Sequence, residues 1–313
     1  FSDSLRTLIL VMLAAGILWL FIKQKLKSTI AIIALGALIL FDLVSVGKRY
    51  VNNDDFKTAN KVDKPFVASE VDKEILKDKS YYRVANFMVD PMNDGSTSYF
   101  HKSIGGYHAA KMGIYLELYD FQIAKNNIQV LNMLNTKYFV FLDGSQRETV
   151  QPNPDANGNA WFVNTIKIVD NANEEIVALD SLQTKNEAVL TSNRISNDFK
   201  TDYIKDSLAS IELTSYKANE LIYESISMED QFAVFSEIYY KNGWNAYIDG
   251  ELEPHFRVNY VLRGMEIPKG KHTIVFKFEP TVIKKGTTIT LVSYLFLILI
   301  PVGWFFVEKR KTK

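Results

Sequence analysis

Three long apolar runs constrain this chain more than any other feature. They extend from Leu5 to Ile22, from Thr29 to Val46 and from about Ile289 to Val307, with Arg6 at the start of the first and Asp42 as the only ionisable residue of the second. At about 1.5 Å of helix rise per residue, each approaches the ~30 Å hydrocarbon thickness of a bilayer. A segment in lipid must satisfy its backbone polar groups internally, so each run is read as a transmembrane helix. Buried core helices are the alternative, but lysines flank all three runs. A cleaved signal peptide fits the first poorly, because it lacks a basic leader and a small-residue cleavage site.

Charge sets the orientation. Lys23, Lys25 and Lys27 lie between the first two runs, and Lys309, Arg310, Lys311 and Lys313 follow the third. By the positive-inside rule both groups belong in the cytoplasm, which puts residues 47–285 outside. Lys48, Arg49, Lys284 and Lys285 fall on the outer side and weaken the bias, although a long translocated domain is largely insensitive to such charges. With 36 basic and 36 acidic residues the chain is neutral, and its outer segment is mildly acidic, so it is no general nucleic-acid binder. The absence of cysteine excludes a disulfide scaffold, a thiol nucleophile, an iron–sulfur cluster and a thiolate zinc site. Phe1 falls outside the cytoplasm at the start of a span, so further membrane helices are expected upstream.

The outer segment divides by pattern. After a polar leader, Ser69-Glu-Val-Asp-Lys-Glu-Ile-Leu-Lys reads as a charged helix, with Ser69 and Asp72 at capping-box spacing but without the usual Glu or Gln. Tyr81 to Phe87 is β-prone. Lys111 to Leu134 places Met112, Tyr115, Tyr119, Ile123, Ile128 and Leu131 at mostly helical spacing, which predicts one or two amphipathic helices. Lys137 to Leu142 reads as a short buried strand ended by Asp143-Gly144. From Gln151 a loop rich in Pro, Asn and Gly marks a subdomain boundary, and the short β-prone runs beyond it, separated by turn signals, predict a β-sandwich. In the last of these, Ile274, Phe276 and Phe278 share one face and Thr273 and Lys277 the other.

The expected fold class is therefore α+β, as transmembrane helices plus an extracytoplasmic domain with a mixed α/β part and a β-sandwich. The expected divisions are 1–46 (two spans), 47–150 (mixed α/β), 151–285 (sandwich) and 286–313 (last span and basic tail).

Phosphate-cradling glycine loops, nucleophile elbows, zinc-protease helices and dinucleotide fingerprints are all missing. Four features remain. Asp42 is a carboxylate inside a membrane run, which reads either as a base or cation contact at an outer-leaflet site or as the partner of Lys48, Arg49 or an upstream helix. The stretch Asp90 to Lys111 gathers Asp94, Tyr99, His101, Lys102, Tyr107, His108 and Lys111 around Gly105-Gly106. Such mixtures bind sugars, with aromatic faces against the ring and polar groups on the hydroxyls. A loop packed on the membrane domain is the alternative, and a metal site from His101, His108 and Asp94 lacks diagnostic spacing, so no metal ligand is assigned. Tyr239-Tyr240 with Trp244 and Tyr247 reads as cross-strand pairs or a carbohydrate platform. Arg257 and Arg263 read as a solvated strand face or a phosphate contact.

Several long motifs carry a resemblance: Ser98-Tyr-Phe-His-Lys-Ser-Ile-Gly-Gly-Tyr, Asn132-Met-Leu-Asn-Thr-Lys-Tyr-Phe, Gly158-Asn-Ala-Trp-Phe-Val, Phe235-Ser-Glu-Ile-Tyr-Tyr and Gly243-Trp-Asn-Ala-Tyr-Ile-Asp-Gly. With the spans ending in Phe41-Asp-Leu and the strand Gly270 to Pro280, the chain resembles the carboxy-terminal part of YfhO-type bacterial membrane proteins. That resemblance implies a polytopic protein of the inner membrane similar to GT-C glycosyltransferases, which use a polyprenyl-phosphate sugar to decorate a cell-envelope polymer. It also implies that the acidic residue acting as base lies in an external loop upstream, so no catalytic residue is carried over. Membrane lipid, a lipid-linked sugar and an envelope polymer are the expected partners. No resident cofactor is identified, and the divalent metal is left open. The alternative is a non-enzymatic anchored envelope protein whose sandwich binds a glycan or a protein.

Overall fold

The computed structural model describes residues 2–196 and 198–311. The chain forms two compact units, Phe1–Val67 and Ala68–Lys313.

In the first unit, α1 (Ser2–Ile22) and α2 (Ser28–Tyr50) pack together as an antiparallel pair, each long and apolar enough to cross a membrane. Their apolar side chains point outward; Ile32 is 71% and Met12 68% exposed. Such a surface is stable only in an apolar solvent, which is the bilayer's contribution. Two ion pairs join the helices in opposite senses. Asp3 on α1 meets Arg49 on α2 at 2.6 Å, and Arg6 on α1 meets Asp42 on α2 at 3.1 Å. The short helix α3 (Ala59–Asp63) follows.

The second unit begins with α4 (Glu70–Ile75). The capping box expected at its start is complete, because the shorter Asp72 carboxylate reaches the Ser69 N–H at 2.9 Å while the Ser69 hydroxyl accepts from the Asp72 N–H at 3.1 Å. Strand β1 (Arg83–Asn86), helices α5 (Ser96–Phe100), α6 (Gly113–Phe121) and α7 (Ile128–Met133), and strands β2 (Thr136–Leu142) and β3 (Glu148–Pro152) come next. The two helices expected between Lys111 and Leu134 are present, but Leu118 is fully buried whereas Ile128 is 46% exposed. The three strands form one sheet in the order β1-β2-β3, with β1 parallel to β2.

Beyond residue 152 lie β4 (Ala160–Val163), β5 (Thr165–Val169), α8 (Ala172–Ala178), β6 (Glu187–Thr191), β7 (Ser210–Lys217), β8 (Glu220–Ser227), β9 (Gln231–Ile238), β10 (Trp244–Ile248), β11 (Glu251–Glu253), β12 (Phe256–Val258), β13 (Leu262–Ile267) and β14 (Gly270–Phe278). One antiparallel sheet runs β11-β10-β14-β8-β7 and another β12-β13-β9-β4. Tyr223 and Phe276 of the first meet Phe235 of the second edge to face, each with ring centroids 4.9 Å apart. Strand β14 is half buried with Ile274 and Phe276 inward, as the alternation predicts. The pair β5 and β6 is parallel and bridged by α8, a small βαβ unit that the run of β-prone segments concealed.

The main apolar cluster includes Leu118, Val130 and Leu134 together with Trp161, Val189, Phe232 and Val258, so it crosses residue 150. Helix α9 (Thr281–Lys311) closes the described chain and is the third helix with the length and composition of a membrane span.

Candidate functional site

The glycine loop is built by close backbone approach. The Gly106 N–H donates to the Pro91 carbonyl at 2.7 Å, and a Cβ on Gly105 would lie 1.9 Å from that same oxygen. Only glycine lets the two strands of the loop touch in this way. The segment then folds over a cavity of about 290 Å³ whose wall includes Arg83, His108, Lys111, Met112, Tyr115 and Ile238.

Arg83, Tyr115 and Lys111 on that wall are each held by their own contacts. Arg83 enters from β1 and donates to the Leu134 and Ser236 carbonyls at 2.8 Å, with the Glu237 carboxylate 3.5 Å away. Burial works against its positive charge, but Glu237 and the neighbouring tyrosines outweigh this and raise its pKa. Tyr115 donates to the Ile104 carbonyl, and burial pushes its hydroxyl up to about 12. Lys111 donates to the Met92 carbonyl. Among the described residues no Asp or Glu lines the cavity. The wall is therefore cationic and hydrogen-bonding on one side and apolar on the other, suited to holding a hydroxylated or anionic ligand but without a carboxylate base.

The structure separates the loop residues that the sequence grouped together. His108 and Lys111 reach the cavity. Asp94 instead caps the turn into α5, accepting from the Ser96 hydroxyl at 2.8 Å and the Thr97 N–H at 3.0 Å. His101 is turned inward, its side chain 2% exposed, with Nε2 2.8 Å from Asp72. Lys102 lies 4.2 Å over the Tyr81 ring, which stacks on Tyr216 at 4.0 Å. Tyr99 packs edge-on against Phe100, and Tyr107 is 75% exposed. His101, His108 and Asp94 do not converge, and among the described residues no three His, Asp or Glu side chains are grouped to hold a metal ion. Asp42, in the other unit, is paired with Arg6 of this chain, not with Lys48 or Arg49.

Sequence reasoning missed the buried arginines. Arg263 is 3% exposed, bonds the Ile238 carbonyl at 3.2 Å and stacks 4.2 Å from the Trp244 ring, so it is no solvated strand face. Arg257 is half-buried 3.5 Å from Glu175, which is 0% exposed. The alternation around Val258 gave no hint of this, because the partner carboxylate is 82 residues away in the chain. Trp244 pairs across strands with Phe278, as a hairpin-like reading expects, but β10 joins β14 and not β9.

Residues 163–290, from the end of β4 into α9, match the family model described as "Bacterial membrane protein YfhO". No curated protein and no solved structure matches the chain.

Proposed function

This chain is a YfhO-type bacterial membrane protein, and from that premise we propose that it serves a lipid-linked-sugar-dependent glycosyltransferase of the GT-C kind, holding substrate for the modification of a cell-envelope polymer. In this reading α1, α2 and α9 lie in the inner membrane, and residues 47–285 form an extracytoplasmic domain whose two large sheets pack as a sandwich. The single observation that carries it is the cavity beneath Gly105 and Gly106, where Arg83, His108 and Lys111 meet apolar side chains on a membrane-tethered domain.

Transfer needs a base to deprotonate an acceptor hydroxyl while a phosphate leaves the anomeric carbon. The residues at this cavity bind and orient; Lys111 and His108 donate to hydroxyl or phosphate oxygens, and the Met112 and Ile238 side presents an apolar wall to a sugar ring. Because no carboxylate among the described residues lines the cavity, this reading puts the base elsewhere in the active assembly. The same observation favours a second reading, in which the domain binds an envelope glycan without chemistry.

The test is complementation of cells lacking the gene with the His108→Ala/Lys111→Ala double variant. The transferase reading expects normal protein in the membrane and at least about tenfold less sugar on the envelope polymer, the cost of two hydrogen-bonding side chains in a site. Unchanged modification, with glycan binding by the purified protein lost, selects the second reading.

A further inference from the structure

A second cavity, of about 590 Å³, lies among the end of β9, the turn that follows it and β12. Its wall carries three cations, Arg194, Lys241 and Arg257, and among the described residues no carboxylate. The arginines are fixed from behind. Glu175, 0% exposed, accepts from Arg194 at 2.9 and 3.0 Å and lies 3.5 Å from Arg257, and Arg194 also donates to the Arg257 carbonyl at 3.0 Å. One carboxylate between two guanidinium groups leaves an unmatched positive charge, and Lys241 has no carboxylate partner among the described residues. The Arg257 Nε atom is buried with no hydrogen-bond partner among the described residues. Arg194 already gives its fork to Glu175, so a phosphate entering the cavity would meet the outer guanidinium edge of Arg257 and the Lys241 ammonium. Met112, Tyr239 and Phe256 supply an apolar wall beside them.

The cavity's rim is also tied to the membrane helix. The Gly243 carbonyl accepts from the Glu279 N–H at 2.6 Å, and a Cβ on Gly243 would lie 2.8 Å from the Phe278 ring and 3.1 Å from Pro280 Cα. Asn245 and Tyr247 donate to the Glu279 carboxylate at 2.8 and 2.7 Å. Lys241 therefore sits two residues from a clamp on the last residues before α9. Only about 12 Å of helix rise, carrying Lys284 and Lys285, separates Thr281 from the apolar stretch at Ile289.

We propose that this cavity receives the phosphate of a membrane-lipid headgroup, with Arg257 and Lys241 on the phosphate oxygens, Arg194 adding positive charge behind them while it holds Glu175 and the Arg257 carbonyl, and the apolar wall against the group the phosphate bears. Its biological use rests on the lipid-sugar reading above, in which the lipid carrier would dock here. Of the residues argued from, all but Met112 fall within the segment matched by the family model.

The test titrates the purified whole chain, in uncharged detergent, with farnesyl phosphate, farnesol and inorganic phosphate, reading bound ligand by native mass spectrometry. Farnesyl phosphate is expected to bind, farnesol not to bind, and inorganic phosphate to bind at least tenfold more weakly. Lys241→Glu, at an exposed side chain with no carboxylate partner among the described residues, is expected to weaken farnesyl phosphate at least tenfold while leaving the thermal unfolding midpoint unchanged. Arg257→Lys, which keeps a cation near Glu175, is expected to weaken it through loss of the fork. Equal binding of farnesol, or wild-type affinity in Lys241→Glu, overturns the proposal. Equal binding of inorganic phosphate overturns the lipid as its source. Failure here with sugar transfer intact in cells removes only this cavity, whereas binding here with unchanged envelope glycans on gene loss removes the transferase reading.

Discussion

Gly105 determines whether the loop between Asp90 and Lys111 can wall a cavity. A methyl group at that position meets the Pro91 carbonyl at 1.9 Å, and the neighbour is backbone, so the loop itself must move. Gly105→Ala is expected to cost about 2–3 kcal/mol in urea unfolding of the purified protein and to weaken whatever the cavity binds. The sequence showed the ingredients of this loop but not their assignment. Asp94 and His101 look as ligand-like as His108 and Lys111, yet the first caps a turn and the second is buried on Asp72. Those outcomes depend on where α4 and α5 pack, which no local pattern encodes.

His255 gives a second test at the same scale. Burial, reinforced by the Arg263 charge, pushes its pKa down to about 4, so the ring is neutral in the folded protein while an unfolded histidine titrates near its ordinary value. The unfolded state then takes up the proton first, and stability falls as pH drops from about 6.5 towards 4, by on the order of 3 kcal/mol. His255→Phe, which keeps a ring but cannot titrate, is expected to flatten that limb in denaturation curves taken between pH 7 and 4.5. Asp78 and Asp94 act lower on the pH scale. Burial would raise both, but hydrogen bonds from Lys137, Ser80 and Tyr138 to the first, and from Thr97 and Ser96 to the second, hold them below the ordinary carboxylate range.

Among the elements, α1 and α2 were the most legible, because long apolar runs leave few alternatives in lipid. Their pairing was not. Asp42 and Arg6 lie 36 positions apart, and only the antiparallel turn brings them to 3.1 Å. Exchanging the two charges tests the pair. Asp42→Arg and Arg6→Asp singly are each expected to destabilise the hairpin or lower its membrane yield, and the double exchange to recover most of the loss. The small βαβ unit of β5, α8 and β6 escaped the sequence reading for a different reason. A seven-residue helix shows too little periodicity to stand out, and β5 alone does not reveal that its partner is parallel. That unit supplies Glu175, the counterion of Arg194 and Arg257. Glu175→Gln leaves two half-buried guanidinium groups without their carboxylate and is expected to cost about 3 kcal/mol, read as a lower urea midpoint at unchanged slope.

At the scale of the second unit, one apolar cluster joins helices and strands from both sides of residue 150, and the turn at Gly243 clamps the last strand just before α9. The β-prone runs predicted many strands, and the two large antiparallel sheets are there; the Gln151 loop suggested a subdomain boundary from composition alone, which reports solvent exposure and not where apolar surfaces meet, and residues on both sides of it share one cluster. Helix α9, the clamp and the cavities at Lys111 and Lys241 together give a membrane-tethered domain with two cationic pockets on whose walls no carboxylate lies among the described residues. The central claim, that such a domain serves sugar transfer from a lipid carrier, is tested most directly by mass spectrometry of polyprenyl-linked sugars and envelope glycans in cells lacking the gene and in cells carrying it again. Loss of one sugar from an envelope polymer, with its lipid-linked form accumulating and both reversed on restoring the gene, is the predicted result. Identical glycans and lipid-linked sugars in the two strains would contradict it.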